Sequence, residues 1–141
     1  MDFATIRRVW LPLIIAVVAT GYIFKDAPGP HDWMRWLGLV LALIGIAGVI
    51  LSRYTLGRSF SIVPKATALV TTGIYSKIRN PIYVSGTFFI AGAVLMLRRP
   101  EGLLLLVIII PLQIFRARRE AAVLEAKFGD EYREYRKRTW F

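Results

Sequence analysis

The apolar positions of this chain fall into four long runs divided by polar breaks, and none shows the strict alternation of a half-buried strand. The first, VWLPLIIAVVATGYIF, occupies residues 9–24; the second covers 33–51 and the third 81–97. A fourth starts at 102 and passes at Arg116 into a charged helical continuation that reaches 128. The second and third approach the ~20 residues a helix needs to cross a hydrocarbon core. The first is shorter and follows Arg7 and Arg8 much as the apolar part of a signal peptide follows its basic start. No small-residue cleavage site appears before Ala27-Pro28, so it reads as a retained helix. The breaks at 25–32, KDAPGPHD, and 98–102, RRPEG, have the composition of turns. Pro111 removes a backbone donor inside the fourth run and is expected to kink it. Gly129 is expected to stop that helix, and Asp130 to cap a last amphipathic piece, 130–138, lying on the membrane surface. The pattern thus predicts an all-α integral membrane protein, one domain with about four transmembrane helices.

Composition supports that reading: 56% of the 141 residues are hydrophobic, too many for an ordinary soluble domain in a chain too short for two. A net charge of +10 raises the question of nucleic acid. The basic residues flank apolar runs, however, and form no face interleaved with aromatics, so nucleic acid is excluded and topology accounts for the charge. With four spans, all of the 19 Lys and Arg except Lys25, Arg35, Arg98 and Arg99 fall on one side, which makes that side cytoplasmic. The chain has no cysteine and one histidine, His31, which rules out disulfides, thiolate nucleophiles and a His-rich metal site. No metal is expected. Trp33 and Trp36 suit interfacial anchors, while Gly38, Ala42, Gly45 and Gly48 leave room for close helix packing.

Two polar stretches share the cytoplasmic side. The connection from Ser52 to Lys77 is too long for a simple turn, and its apolar content argues for order. It ends in LVTTGIYSKIRNPIYVSG, residues 69–86. There Gly73 permits a tight turn, Pro81 fits the first turn of a helix, and Asn80 falls at the N-cap, where its side chain is expected to take a free N–H. A helix start beside Lys77 and Arg79 suits an anionic ligand. In the second stretch Arg116 and Glu120 lie four apart on one helix face at headgroup depth, either as a simple ion pair or as the lining of a polar cavity. Leu124 and Phe128 extend that face, and Tyr132 and Tyr135 are placed to fold back as an aromatic wall.

Together these stretches resemble the signatures of the isoprenylcysteine carboxyl methyltransferase and phospholipid methyltransferase superfamily. The first is similar to L-V-x-x-G-x-Y-x-x-x-R-[HN]-P-x-Y-x-G, and Arg116 to Tyr135 to R-x-x-x-E-[E]-x-x-L-x-x-x-F-G-x-x-Y-x-x-Y. The resemblance covers about residues 56–136. It implies a membrane enzyme that uses S-adenosylmethionine in a cytoplasmic pocket formed by the central loop and the C-terminal helix. Carried over, Thr67, Ala68, Leu69 and Val70 would meet the cofactor through backbone, and Tyr75 would pack beside it. Asn80, Pro81, Ile82 and Tyr83 would form the turn that holds it, Glu120 would anchor its amine-bearing end, and Arg116 would orient an anionic substrate group. The chain departs from the pattern at Asn80, where the family often has His, and at Ala121, where it often has a second Glu.

The implied partner is a lipophilic or lipidated acceptor within the membrane, first of all the carboxylate of an isoprenylcysteine-like substrate. A carboxylate nucleophile needs no general base, so positioning and a water-poor pocket carry the reaction. A phospholipid amine would need a proton acceptor, with Glu120, a Tyr or a lipid phosphate as candidates. Substrate entry is expected laterally from lipid, past Pro111 and the small Gly86 and Gly92. An NADPH-dependent sterol-type reductase and a non-catalytic membrane scaffold are the remaining alternatives. The expected location is a multi-pass position in a bacterial or archaeal inner membrane rather than the endoplasmic reticulum, with the site facing the cytoplasm.

Overall fold

The computed structural model describes the backbone of residues 3–27, 29–56 and 69–141, and side chains from Leu11 onward. Regular structure among these residues is helical: α1 (Phe3–Asp26), α2 (Trp33–Leu56), a 3-10 turn (Gly73–Ser76), α3 (Pro81–Met96), a second 3-10 turn (Pro100–Leu104), α4 (Leu105–Phe128) and α5 (Asp130–Arg138). Two helices are long and apolar enough to cross a membrane, α2 and the continuous 100–128 segment that contains α4. The apolar α3 is shorter, with 16 residues or about 24 Å of helical rise. α1 starts at Phe3 and α2 runs to Leu56, both beyond the bounds that hydropathy suggests. At the polar end of α2 the Ser52 and Thr55 hydroxyls donate to the carbonyls of Gly48 and Leu51 at 2.6 and 2.9 Å, so both hydroxyls are bonded within the helix. α4 passes through Pro111 without ending.

α2 and α3 are the most intimate pair in the fold. Their backbones approach so closely that no side chain fits between them. A Cβ on Gly38 would stand 2.6 Å from the amide nitrogen of Met96, one on Gly45 2.5 Å from that of Phe89, and one on Gly92 2.4 Å from that of Ala42. Buried Ser85 fills the space that Gly48 leaves. Small residues on both helices therefore replace side-chain packing with direct backbone contact, the usual solution where lipid removes the hydrophobic drive for association. This corrects the expected place of Gly92. It faces α2 in the tightest contact of the pair and opens no gap, whereas a Cβ on Gly86 would meet nothing closer than 3.9 Å.

Residues 29–32 and 97–99 meet at the end of the bundle away from the signature turn. Fully buried Arg35 donates to the carbonyls of Phe24 and Ala27 at 3.3 and 2.8 Å, satisfying the C-terminal turn of α1 with a cation where the helix dipole favours one. Asp32 accepts the backbone N–H of Arg35 and is bridged by Arg98. Arg98 occupies the left-handed region (φ +56°). Its own N–H goes to the carbonyl of Leu95 and that of Arg99 to Val94, so it ends α3 in the place where glycine is the common choice. The 100–128 segment packs lightly on α3 and leaves Leu104, Val107, Ile108 and Leu112 exposed, a surface suited to lipid.

Candidate functional site

The site is built on the chain between Leu69 and α3. Gly73 adopts φ +57° close against Thr55 of α2, a conformation that strains any side chain, and the 3-10 turn it begins buries Tyr75. Pro81, fully buried, takes the first helical position of α3 as its fixed φ favours. Asn80 stands at the N-cap, but its side chain makes no capping bond, contrary to expectation. At ψ 56° it lies outside the extended conformation in which an N-cap side chain reaches the following turn. Its backbone does the work: the carbonyl accepts from Tyr83 and Val84, and the N–H donates to the carbonyl of Phe141 at 2.9 Å.

That last bond belongs to a clasp the sequence did not reveal. Trp140 pairs with Ile78 as a parallel bridge, its N–H donating to Lys77 at 2.8 Å and its carbonyl accepting from Arg79 at 3.0 Å. Three residues carry no pairing pattern that could be read in advance. α5 leads into the clasp. Gly129, with φ +53°, ends α4 as expected and also stands at the N-cap of α5, which displaces Asp130 from that role. Asp130 instead pairs with Arg133, which also reaches Glu125. α5 is turned inward, with Tyr132 and Tyr135 buried and the Tyr135 hydroxyl donating to the Tyr75 carbonyl at 2.7 Å. Burial, with the neighbouring Tyr132, pushes the Tyr135 phenol up to about 12 despite the opposing charge of Arg79. Burial, with Tyr135 and Glu120 nearby, raises Tyr75 as well, so both remain protonated at neutral pH.

The two polar stretches meet where α3 and α4 emerge beside this turn. Glu120 accepts the Tyr83 hydroxyl at 2.5 Å, a short bond joining residues 37 apart in sequence. The Arg116 guanidinium lies 5.9 Å from the centroid of the Tyr83 ring. Among the described residues Arg116 and Glu120 form no ion pair, so of the two readings of their spacing the simple salt bridge is the one not adopted. Leu69 and Val70 are half-buried just before the turn and Ile82 half-buried just after it. Thr67 and Ala68 lie outside the described residues.

One further polar contact went unread. Thr87 and Gln113 meet between α3 and α4 with their side-chain oxygens 3.0 Å apart, and the Thr87 hydroxyl lies equally near the carbonyl of Tyr83. A single amide in an apolar run forms no motif, but a polar group at that depth is itself a signal.

Chemically, the arrangement offers a carboxyl group with one oxygen held by Tyr83 and the other without a partner among the described residues, which suits an ammonium group. The neighbouring guanidinium suits a carboxylate or phosphate. Comparison with known proteins bears on which chemistry this is. Residues 33–131 match the family model described as phospholipid methyltransferase. The protein-S-isoprenylcysteine O-methyltransferase of Saccharomyces cerevisiae is 31% identical over 110 residues, covering 73% of this chain and 46% of that protein. That of Rattus norvegicus is 29% identical over 113 residues, covering 76% and 40%. The chain therefore spans less than half the length of these relatives.

Proposed function

The chain belongs to the phospholipid methyltransferase family, and on that premise we propose that it is a membrane methyltransferase moving a methyl group from S-adenosylmethionine to the carboxylate of an isoprenylcysteine-like acceptor. The observation that carries the proposal is the Tyr83–Glu120 bond, which brings the two signature stretches into one site with Arg116 beside it.

S-Adenosylmethionine supplies an electrophilic methyl group on a sulfonium. Toward it the free oxygen of Glu120 offers an acceptor for the amine-bearing end, with Tyr83 fixing the carboxyl group's orientation. Thr67 to Val70, Tyr75 and Asn80 to Tyr83 form the remainder of the cofactor site in this reading. Arg116 orients the acceptor's anionic group. A carboxylate attacks without losing a proton, so the chain needs to supply no base, and the reaction draws on alignment and exclusion of water. α1, α2, α3 and the 100–128 helix serve as four spans, with the site on the cytoplasmic side of a bacterial or archaeal inner membrane.

The family description favours a second reading, methylation of a phospholipid amine. Incubation of purified protein with methyl-labelled S-adenosylmethionine and either N-acetyl-S-farnesylcysteine or phosphatidylethanolamine separates the two. Label on the first, released by mild base as an ester, is the expected result. Base-stable label on the phospholipid alone would transfer the reading to N-methylation.

A further inference from the structure

Where α2 and α3 press backbone against backbone, α1 stands off from them, and between the three lies a cavity of about 170 Å³. Its walls are apolar: Leu13 and Ale16 of α1 aside from Pro12, Ile46 and Val49 of α2, and Phe89 of α3. One residue breaks that pattern. Arg53 follows Val49 by one turn on the same face of α2 and lines the same cavity. From Gly45 to Arg53 the α2 wall rises about 12 Å, so the cavity is a slot along the helix with a charge at one end. That end carries the signature turn. Thr55, just beyond, lies against Gly73, and the charge of Arg53 reaches the Tyr75 phenol, where it opposes the upward push of burial. Arg53 is half-buried, whereas its neighbour Tyr54 is exposed.

An ionisable side chain turned into a helical bundle at the edge of a span is placed there by function more often than by packing. Ser52 and Arg53 close the apolar run 33–51, which sets Arg53 at the level of lipid headgroups. A guanidinium matches phosphate in shape and charge, and a cation set between transmembrane helices at that level takes the headgroup of an anionic lipid. We propose that the slot is a binding site for an anionic phospholipid of the bilayer, with one acyl chain between α1, α2 and α3 and the phosphate paired with Arg53. The lipid is a resident ligand that does not react, distinct from the methyl acceptor and from the cofactor. Bound there, it joins α1 to α2 and α3 and steadies the end of α2 on which the signature turn rests. This inference goes beyond the methyltransferase reading and does not depend on it.

The test follows the thermal unfolding midpoint of detergent-purified protein as lipid is added. The probes are phosphatidylglycerol, which offers neither amine nor carboxylate for methylation, phosphatidylcholine with the same acyl chains, and inorganic phosphate. Phosphatidylglycerol is expected to raise the wild-type midpoint by at least about 3 °C, with little response to the other two. Arg53→Gln is expected to weaken the apparent affinity for phosphatidylglycerol at least tenfold. Ala16→Leu fills the slot, leaves Arg53 in place and is expected to abolish the response as well, which keeps the test open if the Arg53 variant is poorly folded. Arg136→Gln, on the exposed face of α5, is expected to respond as wild type does. Equal stabilisation by both lipids, or by inorganic phosphate alone, would overturn the proposal. So would a response that survives Arg53→Gln, one that survives Ala16→Leu, or one that Arg136→Gln reduces equally, since each assigns the effect to the general surface and not to the slot.

Discussion

At the residue scale, the proposed site turns on two side chains that share one bond. Tyr83→Phe removes the hydroxyl from Glu120 and leaves the carboxyl group unoriented. A hydrogen bond to a charged group is worth about 1.5–3 kcal/mol, so S-adenosylmethionine affinity should fall at least tenfold, measurable by calorimetry. Spacing made Arg116 and Glu120 legible as neighbours on one face; their partner on α3 was not, because which tyrosine faces a carboxyl group is decided by how two helices are set against each other. The opposite end of the bundle carries a pH-sensitive contact. Desolvation pushes the Asp32 carboxyl upward, but the hydrogen bonds from Arg98 and the Arg35 N–H, with the charge of Arg98, outweigh it and hold it below its usual value. A depressed carboxyl stabilises the fold above its unfolded pKa of about 3.9, and that contribution is lost as pH falls below it. Thermal unfolding in detergent should therefore show wild type losing more stability than Asp32→Asn between about pH 5 and 3.

At the element scale, two glycines of neighbouring helices should respond in opposite ways. Gly45→Ala drives a methyl into the backbone of Phe89, and α2 and α3 must separate. Overpacking of this kind costs about 1–3 kcal/mol, seen as a lowered unfolding temperature. Gly86→Ala meets open space, so it should be neutral or slightly stabilising through helix propensity. Small residues along α2 announced close packing in the sequence. That Gly92 would join them while Gly86 stays open was hidden, since both are small residues in one apolar run and only the crossing of α2 and α3 distinguishes them. Turn chemistry was read with similar success: Gly73 and Gly129 take positive φ where turns require it. Asn80 and Asp130 misled because capping depends on local ψ and on what the adjoining backbone already bonds, and residue type carries neither.

At the scale of the whole molecule, the tail and the central turn behave as one unit. Tyr135→Phe loses the bond to the Tyr75 carbonyl and should cost about 1 kcal/mol of stability. The clasp by Trp140 was unreadable because its bonds are backbone to backbone and hold for almost any sequence. Hydropathy, by contrast, outlined nearly every helix, since burial in lipid and burial in protein both select apolar runs. The absence of cysteine makes topology directly accessible. A single cysteine at Ser76 should react with an impermeant maleimide only from the cytoplasmic side, and one at Glu101 only from the other. If the two signature stretches form one S-adenosylmethionine site, as proposed, it is read out by binding of that cofactor to detergent-purified wild-type protein and to Glu120→Ala. Saturable binding that the substitution weakens at least tenfold is the predicted result; binding of NADPH instead, or S-adenosylmethionine binding indifferent to Glu120 in a folded protein, would contradict it.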